Sequence, residues 1–139
     1  MIRIAPDLLG AIHAHAGATY PEECCGALLG RAGDERIVTA VVPIDNARED
    51  ERRRRFLVTP DDYRRVEGEA ARRGLDLLGF YHSHPDHPAR PSEYDREHAL
   101  PWHSYVIVAV AAGRAGDTTS WVLSDDRAHF EAEALATGG

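Results

Sequence analysis

His82 and His84 stand two residues apart, directly after the apolar stretch 75–81, and Pro85 follows them. The stretch reads as a strand, and on a strand residues i and i+2 point to the same face. Two imidazoles placed that way can converge on one ion. Asp95 comes eleven residues after His84, inside a segment that opens like a helix: Ser92 is an N-cap residue type with an acid three positions on. A helix start packed against the strand end can deliver a third ligand. Two histidines and a carboxylate with an open fourth position are the pattern of a catalytic zinc site. Water in the fourth position becomes a nucleophile near neutral pH. Such a site also needs a group that moves protons, and Glu23 is the best candidate. It lies at the mouth of a second apolar run, 24–29, after Tyr20 and Pro21. A charged residue there is either a solvated strand end or a placed base, and the residues alone leave both open.

The elements that must position these groups follow from periodicity and punctuation. Residues 2–4 alternate like a short edge strand. Pro6, suited to a first helical turn, opens a helix expected to run to about residue 18. The run 24–29, ending in Gly30, reads as a buried strand, and the valine-rich 37–44 as another. Residues 46–55 form a charge-dense loop, and a strand resumes over 56–58. Thr59 caps a helix with Pro60 at its first position, continuing to Gly74. Strand 75–81 then leads into the two histidines, and Pro85 ends it. The segment 84–91 holds three prolines and is expected to be irregular. Residues 105–112 and 118–123 read as strands joined by a glycine-containing turn, and 130–135 as a final strand or short helix. Strands interleaved with two or three helices indicate an α/β or α+β sandwich in a single domain over residues 1–139.

Composition sets the outer bounds. Of the 139 residues, 43% are hydrophobic and 28% charged, which excludes disordered, collagen-like and coiled-coil chains. No run approaches the roughly 18 apolar residues of a membrane span. Sixteen basic residues against 23 acidic ones give a net charge of −7, unlike a nucleic-acid binder. Every basic residue is arginine, so the chain offers no lysine amine for isopeptide attachment. No secretory leader pattern opens the chain, since Pro6, Asp7 and His13 interrupt any apolar region before Ala14-His15-Ala16. Cys24 and Cys25 are adjacent, with Cα atoms about 3.8 Å apart, too close for an unstrained bridge. They read as small buried hydrophobes, and the compartment as cytoplasmic.

Taken together, these residues resemble the JAMM, or MPN+, zinc metalloproteases. That family's motif is a glutamate, then His-x-His, seven residues, a serine, two residues and an aspartate. Here it reads Glu23, then His82-Ser83-His84-Pro85, then Ser92-Glu93-Tyr94-Asp95, with both spacings kept. Residues 21–30 look like the family's Glu-x-Cys-Gly strand, and 104–108 like its following core strand. The resemblance covers about the whole chain. It implies that His82, His84 and Asp95 bind zinc and that Glu23 is the general acid/base. It implies that Ser92 hydrogen-bonds the water and the oxyanion. It implies an α/β domain similar to cytidine deaminases, a curved mixed sheet flanked by helices. The chain looks like the small prokaryotic members, some of which trim or deconjugate sulfur-carrier and other ubiquitin-like proteins at a C-terminal Gly-Gly.

Plainer readings stand beside these. A bare His-x-His is as often structural as ligating, and the joint pattern is what favours a metal. Ser92 and Asp95 can cap a helix and serve the site at once. His98 is expected to be a solvated helix residue rather than a partner of Asp95. His87 is expected to be a loop residue, because a fourth protein ligand would close the site. His13 and His15 sit two apart on a helix, where they do not face each other, and read as structural. Arg52, Arg53, Arg54 and Arg55 follow an acidic run and read as a self-compensating loop before they read as a partner contact. Trp102 could line a groove or anchor the core. Gly138-Gly139 reads as a frayed tail.

The expected activity is hydrolysis of the amide after the Gly-Gly of a ubiquitin-like or sulfur-carrier protein. Deubiquitinase-like cleavage of lysine isopeptides and hydrolysis of small amides are the alternatives. A zinc deaminase would need a Pro-Cys-x-x-Cys element, which adjacent cysteines do not provide. A non-catalytic zinc module would not need Glu23 and Ser92. The oligomeric state is left open.

Overall fold

In the computed structural model, residues 1–44 and 58–137 are described. The loop expected over 46–55 with Arg52 to Arg55, the first two residues of the strand expected over 56–58, and Gly138-Gly139 lie outside them; Val58, which is described, lies in no strand. The elements, in order, are β1 (Ile2–Ile4), α1 (Pro6–Thr19), β2 (Cys25–Arg31), β3 (Arg36–Ile44) and α2 (Pro60–Arg72). There follow β4 (Asp76–Pro85), α3 (Glu93–His98), β5 (Ser104–Ala111), β6 (Arg114–Leu123), β7 (Phe130–Glu133) and β8 (Leu135–Thr137).

The strands form one mixed sheet in the order β7-β6-β5-β4-β2-β3-β1-β8. Its two edge strands are consecutive in the chain, separated by Ala134 alone. The sheet therefore curls until its edges meet within one residue's reach. Ile2 N–H donates to the Ala134 carbonyl at 2.9 Å across this seam. The segment expected as one last strand or helix is thus two short strands serving opposite edges. This also corrects the reading of 2–4 as an edge strand, because β1 pairs in parallel with both β3 and β8.

Each face of the sheet buries one set of alternate side chains. Ile12 and Ala16 of α1 pack with Leu28, Leu78, Tyr81, Val106 and Val108. Val66 and Ala70 of α2 pack on the other face with Ala27, Leu29, Phe80 and Tyr105. The helix α2 is fixed at its start as the sequence indicates: Thr59 Oγ1 accepts from Asp62 N–H, and the Asp62 side chain accepts from Thr59 N–H.

Two boundaries differ from expectation in part. β4 carries His82 and His84 and ends at Pro85 as expected, but residues 84 and 85 belong to it rather than to the segment expected to be irregular. Proline is tolerated because the ladder to β5 takes its donor from Asp86, whose N–H meets the Val110 carbonyl at 2.6 Å. The nitrogen of Pro85 faces the other side, where the β2 ladder has already ended at the Cys25–His82 pair. Likewise β6 starts at Arg114, straight after a two-residue turn in which Ala112 and Gly113 have φ of 51° and 82°. That is the geometry of a tight hairpin, and a bulge between Val108 and Val110 restores the register.

Candidate metal centre

His82 and His84 lie on the α2 face of β4, two and four residues beyond Phe80, which packs there. Their Nε2 atoms are 3.1 Å apart. Asp95 Oδ2 is 3.1 Å from His84 Nε2 and 3.3 Å from His82 Nε2. All three side chains are buried. Three donor atoms with these separations are spaced like corners of a tetrahedron around an ion about 2 Å from each, the zinc–nitrogen distance. Two imidazoles and one carboxylate suit zinc better than magnesium or calcium, which take oxygen ligands.

Each donor is aimed by its surroundings. His84 Nδ1 donates to the Pro88 carbonyl at 2.8 Å, which leaves Nε2 with its lone pair toward the triad. Burial pushes His82 below the ordinary histidine range, with Asp95 opposing, so the ring tends to the neutral form that binds metals. Burial also pushes Asp95 up, but His82, His84 and the Ser92 N–H overcome it and hold the carboxyl well below the usual range. Asp95 is the third residue of α3, and its position comes from a capping box. Asp95 N–H donates to Ser92 Oγ at 3.1 Å, and Ser92 N–H donates to Asp95 Oδ2 at 2.9 Å.

Glu23 is brought to the same place by β-sheet register. Cys25 pairs with His82, Ser83 N–H donates to the Cys24 carbonyl, and Cys24 N–H donates to Ser83 Oγ at 2.8 Å. Continuing this antiparallel alignment sets Glu23 beside His84, on the triad's face. Its side chain is 2% exposed, so the reading as a solvated strand end does not hold. Glu23, His84, Ser92 and Tyr94 share the wall of an open groove of about 470 Å³ with His87 and Arg90. On the other side of Tyr94 lies a smaller cavity of about 120 Å³, lined by Tyr63, Phe80, Leu100, Tyr105 and Phe130 and reaching His82 and Asp95.

His98, His87, His13 and His15 fall where the plain readings put them. His98 is exposed, stacks on Tyr94 at 4.0 Å, and bonds the Tyr94 carbonyl rather than Asp95. His87 is an exposed loop residue outside the triad. His13 bonds Thr118 Oγ1 and His15 bonds the Tyr81 hydroxyl, so both tie α1 to the sheet. Trp102 does not anchor the core; it lines a groove with Tyr63, Glu67 and His103, away from the triad. It is 47% exposed, sits under the Arg36 guanidinium at 4.2 Å, and lines neither cavity at the triad. Cys24 and Cys25 form no disulfide and belong to opposite cores, so they cannot ligate one ion together. The Pro88 carbonyl and Arg90 were not marked by the sequence: a backbone acceptor leaves no residue-type signal, and arginine is abundant throughout this chain.

Residues 5–124 match the model of prokaryotic homologs of the JAB domain. The chain is 40% identical over 111 residues to the desampylase of Haloferax volcanii, covering 77% of this chain and 78% of that protein. It is 30% identical over 130 residues to the CysO-cysteine peptidase of Mycobacterium tuberculosis, covering 88% and 82%. It also shares 35% identity over 99 residues with tail tip assembly protein K of Escherichia phage N15, covering 68% of this chain but spanning only 37% of that protein. A solution structure of a Desulfitobacterium hafniense protein superposes with a TM-score of 0.85 at 30% identity, over 99% of this chain and 92% of that one. The JAB1/MPN domain protein of Archaeoglobus fulgidus shares the fold, with a TM-score of 0.64 at 19% identity over 99% of both chains. The matched span runs from the residue before α1 to just past β6 and takes in Glu23, His82, His84, Ser92 and Asp95; the chain is a member of the prokaryotic JAB domain family.

Proposed function

We propose that this chain is a zinc peptidase or isopeptidase that hydrolyses the amide bond after the C-terminal Gly-Gly of a ubiquitin-like or sulfur-carrier protein. The observation that carries the reading is the convergence of His82, His84 and Asp95 within 3.3 Å of one another, beside a groove walled by buried Glu23. Bound by those three residues, zinc supplies Lewis acidity that polarises an amide carbonyl and raises the acidity of water.

The chain's own groups do the rest. The Glu23 carboxylate takes a proton from the attacking water and returns it to the departing nitrogen as the C–N bond breaks. The products are a carrier ending in a Gly-Gly carboxylate and a free amine. Ser92 Oγ already accepts from Asp95 N–H, so its own proton is available to donate to the carbonyl oxygen as negative charge develops. The Pro88 carbonyl holds His84 in one tautomer throughout.

A protein tail as substrate is supported by the desampylase and CysO-cysteine peptidase names of the relatives. A Gly-Gly tail can thread a narrow approach where any Cβ would clash. A cytoplasmic setting fits free cysteines, and no helix among the described residues is long and apolar enough to cross a membrane.

The test is a panel of carrier proteins extended beyond Gly-Gly, with di-ubiquitin alongside, incubated with zinc-loaded protein and followed by mass spectrometry. Cleavage after the second glycine of the extended carriers is expected. Cleavage of di-ubiquitin would favour lysine isopeptides instead, and cleavage of small amides alone would contradict the protein-tail reading.

A further inference from the structure

The groove beside Glu23 carries a charge that hydrolysis itself does not use. Arg90 lines it, exposed, three residues from His87 on the same wall. Among the described residues no carboxylate pairs with Arg90. The groove's other acid, Glu93, is already paired with Arg96. Several other described arginines are engaged: Arg3 with Glu35, Arg72 and Arg73 with Glu69, Arg36 with Ser104 and Trp102.

The backbone beneath Arg90 is fixed. Its N–H donates to the Pro88 carbonyl at 2.8 Å, and the Ala89 carbonyl accepts from Thr119 Oγ1 at 2.6 Å. A guanidinium with no carboxylate partner among the described residues is therefore held on the wall of the groove that contains Glu23 and Ser92.

The chemistry says which half of the substrate lies there. The group that protonates the departing nitrogen must reach it. If Glu23 is that group, the leaving amine faces Glu23 and the rest of the leaving group occupies its groove. The apolar cavity beyond Tyr94 is then left to the acyl side. A planar, always-charged guanidinium is suited to a carboxylate.

We propose that this groove is the leaving-group subsite and that Arg90 selects leaving groups bearing a carboxylate close to the amine, an α-amino acid or a short C-terminal peptide. The inference rests on the peptidase reading above and refines it. A lysine side chain within a folded protein brings no such carboxylate, so Arg90 favours peptide-bonded extensions over isopeptides.

The experiment uses a carrier protein extended past Gly-Gly by one alanine, made once with a free C-terminal carboxylate and once as the carboxamide. Both are given to the zinc-loaded protein, and the ratio of their kcat/KM values is read. The wild type should favour the free acid by about tenfold or more, the weight of one charge-assisted hydrogen bond. That preference should shrink with added salt. In Arg90→Gln the ratio should fall to about one, and Arg90→Lys should restore part of it as a point charge without the fork. A general loss of fold or metal lowers both rates and leaves the ratio unmoved. A wild-type ratio near one, or a ratio unchanged in Arg90→Gln, overturns the role of Arg90 while leaving the peptidase reading intact. Cleavage of neither substrate overturns both.

Discussion

Ser92 and Asp95 hold each other in place. Asp95 N–H donates to Ser92 Oγ, Ser92 N–H donates to Asp95 Oδ2, and that same Oδ2 lies 3.1 Å from His84 Nε2. The helix they open, α3, has six residues, far fewer than an isolated helix needs to persist. The cap that starts the helix is thus also what aims a metal donor and presents a hydroxyl beside it.

Ser92→Ala should therefore act in two ways. It removes the proposed oxyanion donor, which should lower kcat by about 10²–10³-fold, and it removes a cap worth about 1 kcal/mol. Loosening Asp95 should also weaken zinc binding, read by competition with a chromogenic chelator. Ser92→Thr keeps the cap and should recover the zinc affinity. An alanine variant unchanged in rate would make Ser92 a cap and nothing more.

Glu23→Gln keeps the shape and removes the proposed base. Zinc content and thermal unfolding should match the wild type, while turnover falls by about 10²–10⁴-fold. Turnover retained in the variant would take Glu23 out of the mechanism.

Much of the site was legible because its spacing obeys secondary-structure periods. His82 and His84 share a face because a strand repeats every two residues, and Ser92 with Asp95 matches the spacing of a capping box. Glu23 was harder. Its proximity comes from the pairing of Cys25 with His82, 57 positions apart, and the residues alone left it between a strand end and a base. The end of β4 at Pro85 was legible because proline normally marks an end; that residues 84 and 85 still pair with β5 was not, because it depends on the proline nitrogen facing away from that ladder. β1 was misplaced at an edge because its neighbour β8 is built from three residues near the far end of the chain. No local pattern announces a pairing of that range.

Asp86 should govern the site at a distance. It has φ of 58°, its carboxylate accepts from the Tyr20 hydroxyl at 2.7 Å and from Ala112 N–H at 3.2 Å, and it leads into the Pro88 carbonyl that orients His84. Asp86→Ala should lower zinc affinity by about 10–100-fold, as loss of outer support does at metal sites. Asp86→Asn keeps an acceptor and tolerates the left-handed backbone, so it should lose less. Equal affinity in all three proteins would detach Asp86 from the site.

The cysteines should be inert in the folded protein. Burial pushes the Cys24 thiol up to about 11, and Cys25 is fully buried in the opposite core. Iodoacetamide at pH 8 should leave both unmodified, and both should react once the chain is unfolded. Labelling of Cys24 without denaturant would contradict the packing of β2.

Gly79, the one glycine of β4, has no room for a side chain. A Cβ there would sit 1.8 Å from the Ser104 carbonyl oxygen, forcing β4 and β5 apart just before the histidines. Gly79→Ala should fail to give a cooperative thermal transition. Gly74→Ala meets open space and only a φ of 67°, so it should cost about 1–2 kcal/mol. A stable Gly79→Ala protein would contradict the β4–β5 register.

The most direct test of a zinc hydrolase centred on these residues is a crystal structure of the zinc-loaded protein with diffraction recorded on both sides of the zinc absorption edge. The expected result is one anomalous peak per chain, about 2.0–2.2 Å from His82 Nε2, His84 Nε2 and Asp95 Oδ2. A fully loaded protein whose peak lies elsewhere, or whose three side chains point apart, would contradict the account.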